Sequence, residues 1–323
     1  LMSNRPAAFV LAAGLGTRLA PLTNILPKPL VPVFHKPLLT FALDSLIATG
    51  VEQFAINTHH LPNAFTPVFG TDPHYRERPL SLFHEPLLLD TGGGIRNARS
   101  ALGESTFFLY NGDILADLPL AELLSTHTSS GALATLLLRP CESGGVANVN
   151  FDKTSGRVLD LREVLGKNLG ELTVYSGIAV LEPRIFDWIP DEGPYSIVDA
   201  LLQAMRSGEE IGGLLVRDGL WMDLGTPRSY LEAHRLLADP VNRSGYLSNS
   251  EWPIMIHPEA LVESGVTLEG IVSVGPGAVV RSGAVLKDSV IWPGSVIESK
   301  AHLDGCIVSG RNLVVGDHTG EVL

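Results

Sequence analysis

Apolar positions follow one rule through the first two thirds of the chain and another after it. Ala8–Ala12 reads as a buried strand, Pro37–Thr49 as a helix closed by Gly50, and Gln53–Asn57 and Leu80–His84 as further strands. Gly93–Leu102 has helical spacing, Thr106–Tyr110 is a strand, Leu120–His127 a helix, and Ala132–Leu138 a continuous apolar run. Strands are expected again at Val146–Phe151, Val174–Leu181 and Ile211–Val216. Ser196-Ile197-Val198-Asp199 carries a capping-box signature for a helix over Ile197–Arg206, and Pro227–Leu237 reads as the last helix. Strands alternating with helices imply a largely parallel sheet covered on both faces. Ile114–Pro119 reads as a loop leading into a helix.

Residues 238–255 are rich in Pro, Asn, Ser and Gly and read as a linker. From there Ile256, Val262, Leu268, Val274, Val280 and Leu286 recur every six residues, each followed four on by a small or β-branched residue. After a one-residue slip the pattern resumes at Ile291, Ile297 and Leu303. A period of six fits a parallel β-helix whose hexapeptides each form one side of a coil, with the apolar residue pointing inward. The expected organisation is a 7–237 domain, a 238–255 linker and a 256–318 repeat tail.

With 323 residues, 45% of them hydrophobic and 18% charged, the chain can bury a sizeable core, which excludes disorder as its main state. A net charge of -12 argues against a nucleic-acid partner. Two cysteines, Cys141 and Cys306, make no disulfide framework, so a reducing cytoplasm is expected. No apolar run approaches the ~20 residues of a membrane helix. Ala7–Gly14 is too short and leads into Gly16-Thr17-Arg18 without a cleavage region, so no signal peptide is read there; Met2 reads as the initiator. Against the acidic average, residues 1–43 hold Arg5, Arg18, Lys28 and Lys36 and no acid.

Those cations sit among glycines. Leu11-Ala12-Ala13-Gly14-Leu15-Gly16-Thr17-Arg18 follows the first strand, where Gly14 and Gly16 let backbone N–H groups approach a phosphate. Arg18 offers a planar fork for phosphate oxygens, and Lys28, stiffened between Pro27 and Pro29, a compact charge. A third glycine is missing at Leu19, so the dinucleotide fingerprint fails, and no Walker pattern is present. Asn111-Gly112-Asp113 ends a strand and Asp223 stands in Trp221-Met222-Asp223-Leu224-Gly225-Thr226-Pro227. Carboxylates at the C-terminal ends of parallel strands are where such sheets meet ligands. His59-His60 has no ligand-spaced partner and is not read as a metal site.

Leu11 to Thr23 followed by Pro27-Lys28-Pro29-Leu30 resembles the signature of the sugar-1-phosphate nucleotidyltransferases, many of which carry a C-terminal left-handed β-helix. The resemblance implies a Rossmann-like α/β domain with a mostly parallel sheet, joined to that β-helix. It implies a Mg²⁺-dependent reaction of an NTP with a sugar 1-phosphate that gives an NDP-sugar and pyrophosphate. By the same resemblance Arg18 and Lys28 are catalytic, and Asp113 and Asp223 hold Mg²⁺. Leu11, Ala12, Ala13, Gly14, Gly16, Thr17, Glu85, Thr91, Gly92 and Gly93 bind the nucleotide, with Glu85 accepting from a uracil or guanine base. Asn111, Gly145, Glu163 and Ser176 face the sugar phosphate. Where many relatives have Glu-Lys-Pro, this chain has Glu163-Val164, so Arg162 or Lys167 stands in for the lysine. The motifs around Asn57–Leu61 and Asp90–Ile95 resemble the N-acetylmuramate-1-phosphate uridylyltransferase branch, whereas a β-helix tail resembles the mannose-1-phosphate guanylyltransferases. Two other readings stay open: a non-catalytic nucleotide-sugar-binding subunit, and a bifunctional enzyme using His257, His302 or His318 for acyl transfer. A homo-oligomer, formed through the tail or the catalytic domain, is expected, with no membrane partner.

Overall fold

The computed structural model describes residues 6–141, 148–167, 169–243 and 252–323. The first five residues, including Met2 and Arg5, therefore lie outside it, as do Gly145, the start of the Val146–Phe151 strand and residues 244–251 of the expected linker. The chain forms two compact units: residues up to Gly14 with Ala42–Trp221, and Leu15–Phe41 with Met222–Leu323.

The first unit is built on a ten-stranded sheet. Its strands are β1 (Ala7–Leu11), β2 (Phe54–Thr58), β3 (Arg78–His84), β4 (Phe107–Asn111), β5 (Ala134–Pro140), β6 (Val149–Asp152), β7 (Arg157–Leu161), β8 (Glu171–Leu181) and β9 (Ile211–Leu215), with a two-residue edge strand His74–Tyr75. They lie in the order β6-β7-β9-β5-β8-β4-β1-β2-β3, then the edge strand. β4, β1, β2 and β3 run parallel. Phe9, Ala55, Phe107, Leu109, Ala179 and Leu181 share one core on one face, while Ala8, Val10, Ile56, Phe108 and Tyr110 are buried on the other. Burial on both faces is why these strands read as unbroken apolar runs rather than alternations.

One feature does not follow from the β–α rhythm. β8 runs antiparallel to both neighbours, β4 and β5. Its register shifts between Tyr175 and Ala179, so Ser176-Gly177-Ile178 bulge from the ladder. Three further corrections apply. Ile114–Ala116 is a short strand, not loop. The expected Pro37–Thr49 helix forms as α1 (Leu38–Ala48), whereas the expected Gly93–Leu102 helix starts earlier, as α2 (Asp90–Asn97), and a break at Ala98 separates it from Arg99–Leu102. Ser196 accepts from Val198 N at the start of the Ile197–Arg206 helix, but no reciprocal capping box forms there.

The second unit contains the repeats. Leu261–Val262, Val279–Val280, Val296–Ile297 and Leu313–Val314 form one parallel sheet. Thr267–Glu269, Val285–Lys287, His302–Asp304 and Asp317–Thr319 form a second, and Ser273–Val274, Val290–Ile291 and Ile307–Val308 a third. These stacked parallel sheets are consistent with the left-handed β-helix expected. Val280, Leu286, Ile291, Ile297 and Leu303 are buried inside it. Leu268, expected inside, is 41% exposed, because it belongs to the first coil, which has no preceding coil to cover it. The stack runs past residue 318 to a bridge between Ile307 and Val322.

The same unit ties the repeats to the cationic segment Leu15–Phe41. The Trp292 indole donates to the Tyr230 hydroxyl at 3.1 Å, and that hydroxyl donates to Pro32 O. Trp252 packs edge-on against Phe34 and Phe41. Tyr230 belongs to a helix, Pro227–Ala238, whose Thr226 and Ser229 make a reciprocal capping box and whose last carbonyls accept from Arg243.

Candidate functional site

Candidate residues fall in both units. In the second, a run of short turns, Thr17–Leu19, Leu22–Asn24 and Lys28–Leu30, folds the cationic segment back on itself. Gly16 makes this possible: its φ is +61°, and a Cβ there would lie 2.9 Å from both Lys28 Cβ and Thr23 Cγ2. Thr23 Oγ1 donates to Gly16 O at 3.1 Å and holds the fold. Lys28 is thereby buried, with 4% of its surface exposed.

Asp223 meets both cations. Lys28 Nζ lies 2.6 Å from Oδ1 and Arg18 Nη2 2.8 Å from Oδ2. Gly225, two residues on, has no side chain where a Cβ would stand 3.0 Å from Arg18 Cζ. Burial pushes the Asp223 carboxyl up, but the Lys28 ammonium and the Arg18 guanidinium outweigh it and hold the group below the usual carboxylate range. The two cations differ in freedom. Lys28 is locked, whereas 70% of the Arg18 side chain is exposed, so Arg18 can leave Asp223 for an incoming anion at little desolvation cost.

In the first unit, the ends of β1, β2 and β3 are joined by one buried chain of hydrogen bonds. Asn57 Oδ1 accepts from Ala12 N at 2.7 Å, and Asn57 Nδ2 donates to Glu85 Oε1 at 2.8 Å. Glu85 Oε2 accepts from Leu89 N at 3.0 Å, just before α2. His59 Nδ1 donates to the Glu85 carbonyl. Glu85, expected at the base, is only 1% exposed and is turned into this frame. Its carboxylate joins the loop entries by accepting from Asn57 Nδ2 and from Leu89 N. Gly94 serves the same frame: a Cβ there would sit 2.8 Å from Glu85 Oε1. Thr91 lies inside α2, which begins at Asp90 with no side-chain cap. Gly92 and Gly93 are buried in its first turn, and Gly93 N donates to Tyr195 O. Ala12 and Ala13 are buried, while Gly14 and Thr17 are exposed and Leu11 is half-buried.

Asn111, the last residue of β4, and Asp113, just beyond it, are half-buried, and Gly112 N between them donates to Leu11 O. Gly177 in the β8 bulge packs on the Asn111 side chain. Trp221 Nε1 donates to Ser176 O at 2.8 Å, and the buried Ser176 hydroxyl has no partner among the described residues. Glu163 is exposed in a tight turn where Arg162 and Glu163 both have positive φ, 54° and 58°. Asp160, which the sequence reading passed over, holds that turn: its carboxylate accepts from the N–H groups of Val164, Leu165 and Lys167. In the sequence it shows only as a lone acid within the apolar stretch Val158-Leu159-Asp160-Leu161. Val164 stays exposed, and Gly145 lies outside the described residues.

Among the described residues no three His, Cys, Asp or Glu groups cluster as a metal site. A metal using Asp113 or Asp223 would draw its other donors from water and phosphate. That is how Mg²⁺ binds, and an Asp223 that stays ionised suits it. In the tail, His302 Nδ1 lies 3.0 Å from Asp317, His318 Nδ1 3.1 Å from Glu321, and the His257 ring packs against His35.

Residues 7–239 match the nucleotidyl transferase family. The chain is 31% identical to a mannose-1-phosphate guanylyltransferase of Mycobacterium tuberculosis, over 93% of this chain and 82% of that protein. It is 26% identical to a UTP–glucose-1-phosphate uridylyltransferase of Synechocystis, over 98% and 90%. Against mannose-1-phosphate guanylyltransferase 1 of Arabidopsis thaliana the identity is 27%, over 95% and 87%. The fold matches a solved UDP-glucose pyrophosphorylase from Acinetobacter baumanii with a TM-score of 0.61 at 19% identity, over 73% of this chain and 95% of that one. No helix among the described residues is long and apolar enough to cross a membrane.

Proposed function

Because the chain belongs to the nucleotidyl transferase family and is a sugar-1-phosphate nucleotidyltransferase, we propose that it uses GTP in preference to UTP and requires Mg²⁺. The 31% identity to a guanylyltransferase, against 26% to a uridylyltransferase of similar coverage, supports the base. The observation that carries the site assignment is the carboxylate of Asp223 held between Lys28 and Arg18. Two cations of one segment and a carboxylate 205 and 195 residues away, one cation locked and the other exposed, form a receptor for a polyphosphate.

In this reading an oxygen of the sugar phosphate attacks the NTP α-phosphorus in line. The new P–O bond forms as the bond to pyrophosphate breaks. Lys28 faces the α-phosphate, and Arg18 leaves Asp223 Oδ2 to take the charge of the departing pyrophosphate. Positioning and charge stabilisation carry such a transfer. Asp113 and Asp223 would hold Mg²⁺, which when bound neutralises phosphate charge. The chain's loop Leu11–Thr17 supplies N–H donors to the nucleotide, and Asn57 and Glu85 keep that loop and α2 in place. Asn111, Glu163 and Ser176 face the sugar phosphate, with Arg162 or Lys167 as its cation.

Pyrophosphate release from GTP, UTP, dTTP, CTP and ATP, each with several sugar 1-phosphates and with or without Mg²⁺, tests this. GTP giving the highest kcat/KM, and loss of turnover with EDTA, is the expected result. A preference for UTP overturns the choice of base, and full activity in EDTA overturns the metal.

A further inference from the structure

The Asp223 carboxylate has two oxygens, and each is held by a different cation. Lys28 Nζ lies 2.6 Å from Oδ1 and Arg18 Nη2 2.8 Å from Oδ2, both at the length of charge-assisted hydrogen bonds. One negative charge thus faces two positive ones. A divalent cation approaching Asp223 meets an oxygen that already carries a cation, and like charges at that distance repel.

The place that Arg18 takes is shaped for it. Gly225 has no left-handed φ that would call for glycine. Yet a Cβ there would stand 3.0 Å from both Arg18 Cζ and Nη2 and 3.1 Å from Nη1. Glycine at this position supplies room for the guanidinium rather than backbone freedom. The two cations also differ in what can move them. The Lys28 side chain is buried, and releasing it from Asp223 would leave an unpaired charge in the interior. The Arg18 side chain is mostly exposed and can swing into solvent without that cost.

We propose that Arg18 gates the metal position of Asp223: it covers Oδ2 in the nucleotide-free protein and uncovers it when a polyphosphate draws the guanidinium away. This rests on the reading of Arg18, Lys28 and Asp223 as a polyphosphate and Mg²⁺ site, and adds how that site regulates the entry of its ligands. With Arg18 on the phosphates, Asp223 keeps Oδ1 on Lys28 and presents Oδ2. One carboxylate oxygen suits Mg²⁺, which fills its other positions with water and phosphate. Nucleotide and metal then bind with positive coupling, and by linkage each strengthens the other by the same factor. Loss of Arg18 acts with opposite signs on the two ligands. It weakens the hold on polyphosphate and strengthens the hold on a divalent cation, whereas a residue that only touches phosphate would change the first and leave the second alone.

The test titrates Mn²⁺, followed by its EPR signal, into the nucleotide-free full chain. Arg18→Gln should bind Mn²⁺ at least ~10-fold more tightly than the wild type, the scale of one hydrogen bond to a charged group at a partly exposed site. Gly225→Ala keeps Arg18 but pushes its guanidinium off Asp223, and should shift the affinity the same way. Adding Asp223→Asn to Arg18→Gln should remove the gain. Calorimetry with inorganic pyrophosphate in EDTA should show weaker binding to Arg18→Gln than to the wild type. Equal Mn²⁺ affinity in the wild type and both single variants, a gain that survives Asp223→Asn, no Mn²⁺ binding by any of the proteins, or pyrophosphate binding that Arg18→Gln leaves unchanged overturns the proposal. Pyrophosphate release from no NTP and sugar 1-phosphate pair overturns the enzymatic reading instead, and neither titration depends on turnover.

Discussion

Lowering the pH from 7 to 5 should destabilise the unit that carries Lys28 and Asp223, through one histidine. His234 is buried in the Pro227–Ala238 helix, 2% exposed. Its Nδ1 donates to the Tyr230 carbonyl at 3.0 Å, which fixes the tautomer and leaves Nε2 to accept from Phe34 N at 3.2 Å. Phe34 and His35 form the turn between Pro32–Val33 and Lys36–Pro37, and both have positive φ, 44° and 67°. Such a turn favours Asn-Gly, so Phe-His is held there by contact with its surroundings. Protonating Nε2 would remove its lone pair and leave the Phe34 N–H unpaired.

Burial accordingly lowers the His234 pKa from 6.5 to about 4, and the nearby His35, itself lowered, acts in the same direction. The folded pKa lies below the unfolded one, so the contribution is fully present above pH 6.5. It is lost as the pH falls from there toward 4, where the unfolded chain binds a proton that the folded one refuses. The full gap is worth about 3 kcal/mol, of which about 2 kcal/mol falls between pH 7 and 5. Thermal or urea unfolding at the two pH values, compared with His234→Gln, isolates this contribution. Gln keeps an acceptor for Phe34 N and does not titrate. The wild type should lose about 2 kcal/mol more than the variant, roughly 4–8 °C in Tm. Equal losses in both proteins would refute the argument.

Three other outcomes are expected. Arg18→Ala or Asp113→Ala should each lower kcat at least ~100-fold in a pyrophosphate-release assay, and near-wild-type release in either would remove that residue from the mechanism. Gly94→Ala places a methyl 2.8 Å from Glu85 Oε1 and should cost about 1–3 kcal/mol of stability and raise the KM for the NTP; an unchanged KM would show that the frame does not position the nucleotide loop. Trp292→Phe removes the donor to Tyr230, whose hydroxyl reaches Pro32, and should cost about 1 kcal/mol with a measurable fall in kcat. A Tm equal to wild type would mean that the repeats do not brace the cationic segment.

Much of the fold was legible because its signals are local. Buried strands such as Ala7–Leu11 and Phe107–Asn111 are apolar on both faces, and the six-residue period needs only the next hexad to show itself. β7, Arg157–Leu161, was missed, because its alternation of charged and apolar residues is too short to stand out between turns. The hexad register could be followed only to Leu303, because strand spacing falls from seventeen residues between Val296 and Leu313 to fifteen between His302 and Asp317. The capping box at Thr226 uses Ser229 rather than the Glu or Gln that marks it in sequence.

What the sequence alone determined was the inventory: a strand-and-helix domain, a six-residue repeat, and an acid-free stretch with Arg18 and Lys28 in a glycine-rich loop. These follow from periodicity, propensity and charge, each a property of neighbours along the chain. Tertiary structure decided which of those groups meet. Asp223 lies 205 residues from Arg18 and 195 from Lys28, and only the fold sets its two oxygens against both. It also turned Glu85 inward onto Asn57, reversed β8 against its neighbours, and packed the cationic segment with the repeats. Each is a long-range pairing whose energy arises when distant groups leave water together, and no window of sequence contains both partners.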